Sequence, residues 1–240
     1  MLNLFKHLSL VGILLGAIFS AATVFAAPPA IAPVPTASGT PPSEIEVGLS
    51  AVEKKDYAKA FSVFSRLAEA GNAEAQHNLA MLYRTGSGVK KDLTASLKWF
   101  RQAAEQGIPD AQYYLGYMYE NGEGVEKNAH SALIWYRKAA EQGQGLAQIN
   151  LGVLYANGVS VPQDVRQAYL WFHAATAQGY KAAFENKMII EAALKEQGEE
   201  GLAILESLKK QEHEYFQKYV EPFAKRPTDH LKGKKPNFKH

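Results

Sequence analysis

The chain contains no cysteine. That absence removes disulfide bridges, thiolate zinc sites, cysteine nucleophiles and lipid attachment through a cysteine. It leaves the compartment open, because an exported protein with a sufficient core needs no disulfide. Other chemistry-bearing patterns are equally scarce. The seven histidines are His7, His77, His130, His173, His213, His230 and His240, and none forms a His-x-x-x-His or His-Glu-x-x-His spacing, so no metal site is expected. His213 lies between Glu212 and Glu214, but adjacent residues of a helix point apart. No glycine motif of a nucleotide-binding loop is present, and no cofactor is expected. The Glu199–Glu200 pair reads as a helix start, where carboxylates favour the dipole.

Charge of one sign is missing as well. The net charge over 240 residues is +2. The segment from Ala224 to the end holds six lysines and arginines against Asp229 alone, so the body, apart from that tail and Lys6, is at −4. A nucleic-acid-binding fold shows a basic stripe on its folded part, so no nucleic-acid partner is expected.

The N-terminus is charged at Lys6 and then uncharged from Leu8 to Ala27. Val24 and Ala26 occupy the two positions a signal peptidase reads, which predicts an export signal over 1–26 with cleavage after Ala26. The alternative is an uncleaved membrane anchor over 8–27, since about 20 apolar residues can span a bilayer. Either reading places the body outside the cytoplasm, in the periplasm or secreted. Residues 27–42 hold six prolines, Pro28, Pro29, Pro33, Pro35, Pro41 and Pro42, which predicts an extended linker.

What the chain does contain is a repeat. A shift of 36 residues aligns Ala75–Asp110, Ala111–Leu146 and Ala147–Ala182 without a gap. Leu79, Leu115 and Leu151 coincide, as do Tyr83, Tyr119 and Tyr155. Gly86, Gly122 and Gly158 follow, then Trp99, Trp135 and Trp171, then Gly107, Gly143 and Gly179. In each unit the leucine and tyrosine form one stripe of a short helix. The first glycine column falls where a helix end favours a left-handed residue. Asp92, Asn128 and Asp164 are N-caps for a second helix. Gly116 and Gly152, in mid-helix, predict a close helix–helix approach. A two-helix hairpin cannot bury its own apolar faces, so neighbours must stack, and the leucine, tyrosine and tryptophan columns read as packing residues.

Residues 43–74 read as an entry unit. Its second helix keeps the 36-residue offset, and Gly48 matches Ala80 once its loop is four residues shorter. Residues 183–223 read as two capping helices split at Gly198, and 224–240 as a basic disordered tail.

The middle unit reads AQYYLGYMYENGEGV and then WYRKAAEQG. This resembles the Sel1-like repeat family, a branch of the tetratricopeptide-type solenoids. The third unit departs from the pattern at Ser160 and Thr176. The resemblance implies an all-α, right-handed α/α solenoid of helix-loop-helix repeats over 75–182. It also implies a non-enzymatic adaptor or scaffold that holds a protein or peptide partner. By the same resemblance, the first helix of each unit lines a groove. The positions there are His77, Met81 and Arg84, then Tyr113, Tyr117 and Glu120, then Ile149, Val153 and Ala156. Tyr113 and Tyr117 are four residues apart and share one helix face.

Two other readings stand beside the adaptor. Ser207-Leu208-Lys209-Lys210 matches the Ser-x-x-Lys element of penicillin-recognising enzymes and raises a cell-wall or β-lactam hydrolase. Those enzymes also need Ser-Asp-Asn and Lys-Thr-Gly elements, and both are missing. The third reading is an envelope structural protein whose basic tail grips an anionic polymer or lipid.

Overall fold

The computed structural model describes residues 43–224. The expectations for the export signal, the proline-rich linker and the tail over 225–240 lie outside them. Among the described residues there are ten α-helices and no strand. They are α1 (Glu44–Glu53), α2 (Tyr57–Glu69), α3 (Ala73–Thr85), α4 (Leu93–Glu105), α5 (Pro109–Asn121), α6 (Ala129–Glu141), α7 (Gly145–Asn157), α8 (Val165–Ala177), α9 (Lys181–Glu196) and α10 (Glu199–Tyr219), followed by a 3₁₀ turn over Glu221–Phe223. The fold is an all-α repeat solenoid. The described chain divides into two compact units, residues 43–139 and 140–224.

Local sequence chemistry sets the helix limits. Gly86, Gly122 and Gly158 sit at φ 74°, 74° and 68°, where a side chain would be strained, and close α3, α5 and α7. The following helices start on side-chain caps: Ala95 N donates to Asp92 Oδ1 at 2.9 Å and Ser131 N to Asn128 Oδ1 at 2.9 Å. Asp164 accepts from Arg166 N and Gln167 N, both at 3.0 Å.

In the first unit α3 packs between α2 and α4, and α4 also packs on α5. Leu79 and Leu115 are 1% and 0% exposed. The residue after each tryptophan lies deeper than the tryptophan itself: Phe100 and Tyr136 are fully enclosed, whereas Trp99 and Trp135 are half-buried. A Cβ on Gly116 would stand 2.8 Å from the Tyr136 ring, so the glycine is there to admit that ring. Gly48 faces the Phe64 ring in the same way. The four-residue shortening therefore falls in the loop between α1 and α2 and leaves the packing intact.

The second unit repeats the scheme with its own leucine and aromatic, Leu151 and Phe172, both fully buried, and with Gly152 against Phe172. α7 packs on α8, α8 on α9, and α10 lies against both α8 and α9. Trp171 is 4% exposed, unlike its two counterparts, because Tyr215 and Tyr219 of α10 cover it at ring distances of 5.1 and 4.7 Å.

Candidate partner-binding face

Within the first unit, one stripe of α3 carries Glu74, His77, Met81 and Arg84, and the matching stripe of α5 carries Asp110, Tyr113, Tyr117 and Glu120. The spacing of three, four and three residues keeps each set on one helix face. The structure brings Arg84 and the α5 tyrosines together. The Arg84 guanidinium lies 5.5 Å from the Tyr114 ring centre and 5.1 Å from that of Tyr117. It also forms a two-pronged ion pair with Glu123, Nε to Oε2 at 2.9 Å and Nη2 to Oε1 at 3.3 Å. Burial works against that charge, but the Glu123 hydrogen bonds and the neighbouring tyrosines hold the Arg84 pKa above its ordinary value.

The stripe is not uniformly open. Met81 is only 6% exposed and belongs to the core with Phe100, Leu115 and Met118. It is removed from the predicted groove: α3 has helices on both flanks, so a position two residues from Leu79 is still enclosed. His77 stands edge-on to Phe100 at 5.5 Å and tilted to Tyr114 at 5.9 Å. Its Nδ1 is buried without a hydrogen-bond partner. Burial lowers its pKa, with Asp110 opposing. Tyr113 is half-buried against Tyr114 at 5.2 Å and Tyr136 at 5.9 Å. Burial first, then the neighbouring tyrosines and Glu120, raise its pKa. Tyr117 is half-buried as well, with the Arg84 guanidinium 5.1 Å from its ring centre. Glu120 accepts a hydrogen bond of 2.6 Å from the Tyr136 hydroxyl, which reaches it from the core.

Three predicted positions fall on α7, in the second unit. Ile149 and Ala156 are 4% and 0% exposed, and Val153 is half-buried. Ile149 and Ala156 are thus corrected to core residues. An apolar side chain at an enclosed register position simply completes the packing.

Sequence reasoning missed Glu74, Asp110, Tyr114 and Glu123. The first two were reachable, since they continue the same stripe one turn back at the same 36-residue offset. Tyr114 and Glu123 were not, because their roles depend on where Arg84 lands. The motif glutamines were also passed over. Gln76, Gln112 and Gln148 each donate from Nε2 to a carbonyl eight residues earlier, Ala68 O, Ala104 O and Ala140 O, at 3.1–3.2 Å. They satisfy buried helix ends that would otherwise be left unpaired.

The described residues of the second unit hold a different polar cluster. Glu212 of α10 accepts from Tyr169 at 2.8 Å and Lys187 at 2.5 Å, and pairs with His173 at 3.3 Å. Tyr169 also meets Glu191 at 3.1 Å. Burial opposes the Glu212 charge, but hydrogen bonds from His173, Lys187 and Tyr169 outweigh it and draw the pKa down to about 2. Each member bonds another, so the cluster fastens α10 to α8 and α9.

The Ser-x-x-Lys residues do not act together. Ser207 accepts from Gln211 and Lys210 pairs with Glu206 at 2.9 Å. Among the described residues no group of three or more histidines and carboxylates is placed to hold a metal ion, and no helix is long and apolar enough to cross a membrane.

Tandem two-helix units with this glycine, leucine and aromatic register define a repeat scaffold. A family model for the Sel1 repeat matches residues 45–72, 73–108, 109–144 and 145–180, and the chain belongs to the Sel1 repeat family. These repeats are generally protein–protein interaction scaffolds. Among solved structures, a Sel1 repeat protein from Oxalobacter formigenes is 30% identical, with a TM-score of 0.58 over 62% of this chain and 66% of that one. A protective antigen of uropathogenic Escherichia coli with an SLR fold is also 30% identical, with a TM-score of 0.49 over 75% of this chain and 46% of that one. Cysteine-rich protein B of Helicobacter pylori is 22% identical, with a TM-score of 0.41 over 60% of this chain and 96% of that one. No curated protein matches the chain.

Proposed function

We propose that the chain is an exported, non-enzymatic adaptor that holds a protein or peptide partner on the α3–α5 face. The observation that carries this reading is the contrast within one register position. Tyr117 shows part of its ring to solvent beside Arg84, whereas Met81, its counterpart one unit earlier, is buried. An aromatic ring held in place by an arginine and left partly open is a low-entropy anchor for a partner. Export rests on the uncharged run from Leu8 to Ala27 and the small residues at Val24 and Ala26.

Capture of partners from envelope extract by the mature chain, followed by titration calorimetry, tests the reading. Tyr113→Ala with Tyr117→Ala should weaken the captured partner by at least about 2 kcal/mol, the usual threshold for an interface hot spot. Because Tyr113 also packs on Tyr136, the single change Tyr117→Ala is the cleaner half, with a small effect on melting. Affinity that survives both changes removes the face from the site.

A further inference from the structure

The helices of the first unit are sorted by charge. α1, α3 and α5 carry six carboxylates, Glu44, Glu46, Glu53, Glu74, Asp110 and Glu120, and one cation, Arg84. α2, α4 and α6 carry six cations, Lys59, Arg66, Lys98, Arg101, Arg137 and Lys138, against three carboxylates. The one cation on the first set is already neutralised by Glu123. Among the described residues, the hydrogen-bond partner of the Glu120 carboxylate is the Tyr136 hydroxyl, which brings no compensating positive charge. The large apolar side chains exposed in the described chain are Ile134, Val159, Met188 and Leu202, none of them on α1, α3 or α5. An apolar helix has nothing to seat on here, and an acidic segment would meet carboxylates.

The face also shows in its own packing what it can hold. Arg84 is a guanidinium between tyrosine rings and a carboxylate, at 5.1–5.5 Å from the rings and 2.9 Å from the acid. Further along the α5 stripe, Glu120 stands on the same helix face as Tyr113 and Tyr117, so a carboxylate and two tyrosine rings are again neighbours. The corresponding stripe of α7, Leu146, Ile149, Val153 and Ala156, has no charge and no aromatic. The register therefore folds without these groups, and packing does not require them.

We propose that the α3–α5 face binds a basic, extended peptide segment of a partner protein, with a lysine or arginine side chain over the Tyr113 and Tyr117 rings and against the Glu120 carboxylate. This rests on the adaptor reading and adds the chemistry of the partner to it.

Fluorescence anisotropy of the full chain with three labelled peptides, rich in arginine, glutamine or glutamate, tests it. The arginine peptide should bind alone of the three and weaken as salt is raised. Tyr117→Leu, and separately Glu120→Gln, should each reduce its affinity roughly ten-fold, with melting curves close to the parent. Glu199→Gln with Glu200→Gln, on exposed carboxylates of α10, should change nothing. Loss of binding in that control means general attraction to an acidic protein and overturns the proposal. Binding of the glutamine or glutamate peptide that depends on Tyr117 also overturns it, while the adaptor reading stands. If no peptide shows binding that depends on Tyr117, the basic-segment assignment is wrong, and envelope capture judges the adaptor reading separately. Arginine-peptide binding that appears only after Lys232, Lys234, Lys235 and Lys239 are changed to glutamine makes the chain's own tail the occupant and overturns the assignment to a partner.

Discussion

Residues 43–139 and residues 140–224 are built on one helix register, yet they dispose of their polar groups in opposite ways. In the first unit the carboxylates of α3 and α5 and the ring of Tyr117 remain on a partly open face, and the tryptophans Trp99 and Trp135 are only half-buried. In the second the equivalent stripe is apolar and largely enclosed. Its polar groups are gathered under α10, where Tyr169, Lys187, His173 and Glu212 satisfy one another. The difference teaches that a repeat fixes packing positions and leaves the rest to be spent either on closure or on contact. The second unit uses them to fasten a final helix. The first leaves them on a half-buried face.

The largest test of that contrast is tryptophan truncation. Trp171→Ala should cost about 3–5 kcal/mol, the usual loss for a large enclosed aromatic, because it also strips the support from Tyr215 and Tyr219. Trp135→Ala should cost clearly less, since its ring is half-exposed. Circular dichroism melts of both variants decide it, and equal losses would erase the distinction between the two regions.

The glycines should behave alike where the tryptophans differ. Gly116→Ala and Gly152→Ala place a Cβ 2.8 and 2.7 Å from the Tyr136 and Phe172 rings. Each should cost about 1–3 kcal/mol through overpacking. A large inequality in denaturant midpoints would mean that the shared register does not give shared packing.

Next in size is the α10 fastening. Glu212→Gln should destabilise by about 1–2 kcal/mol, a charge-assisted hydrogen-bond value reduced for partial solvent access. The pH dependence follows from the lowered pKa. The folded carboxylate holds its charge down to about 2 against an ordinary 4.5. Its contribution is therefore complete above about pH 4.5 and disappears as pH falls toward 2. Melting temperature against pH should lose part of its slope in that window when Glu212 is replaced.

The smallest effect belongs to His77. Its pKa is lowered from 6.5 by burial, with Asp110 opposing. The neutral ring is the stable folded form, so its contribution is full above about 6.5 and declines as pH falls through the lowered value. His77→Gln should flatten the stability profile just below pH 6.5 and leave the Glu212 window unaltered. A profile unchanged in both windows would mean that the ring titrates as it does in the unfolded chain.

Much of the architecture was legible in advance because it depends on backbone conformation and spacing. The left-handed column at Gly86, Gly122 and Gly158, the caps at Asp92, Asn128 and Asp164, and the close approaches at Gly116 and Gly152 all follow from residue type at a fixed period. The face was legible only in part. The helix stripe named Arg84, Tyr113, Tyr117 and Glu120, which stay half-buried, and equally Met81 and Ile149, which the structure buries. Helical periodicity tells which side of a helix a residue is on. It does not tell how many neighbours crowd that side.

The sequence by itself determined the repeat, its 36-residue period, the helix ends and the identity of the packing columns, since each rests on local conformational preference or on a pattern a single helix can express. Only the tertiary structure decided that Glu123 would neutralise Arg84 from 39 residues away, that the Tyr136 hydroxyl would reach Glu120 from the core, and that Tyr215 and Tyr219 would cover Trp171. Those pairings join residues whose separation carries no periodic signal. They exist because stacked helices bring distant side chains within hydrogen-bond or ring-contact distance, and burial then makes an unpaired polar group costly enough to select one arrangement.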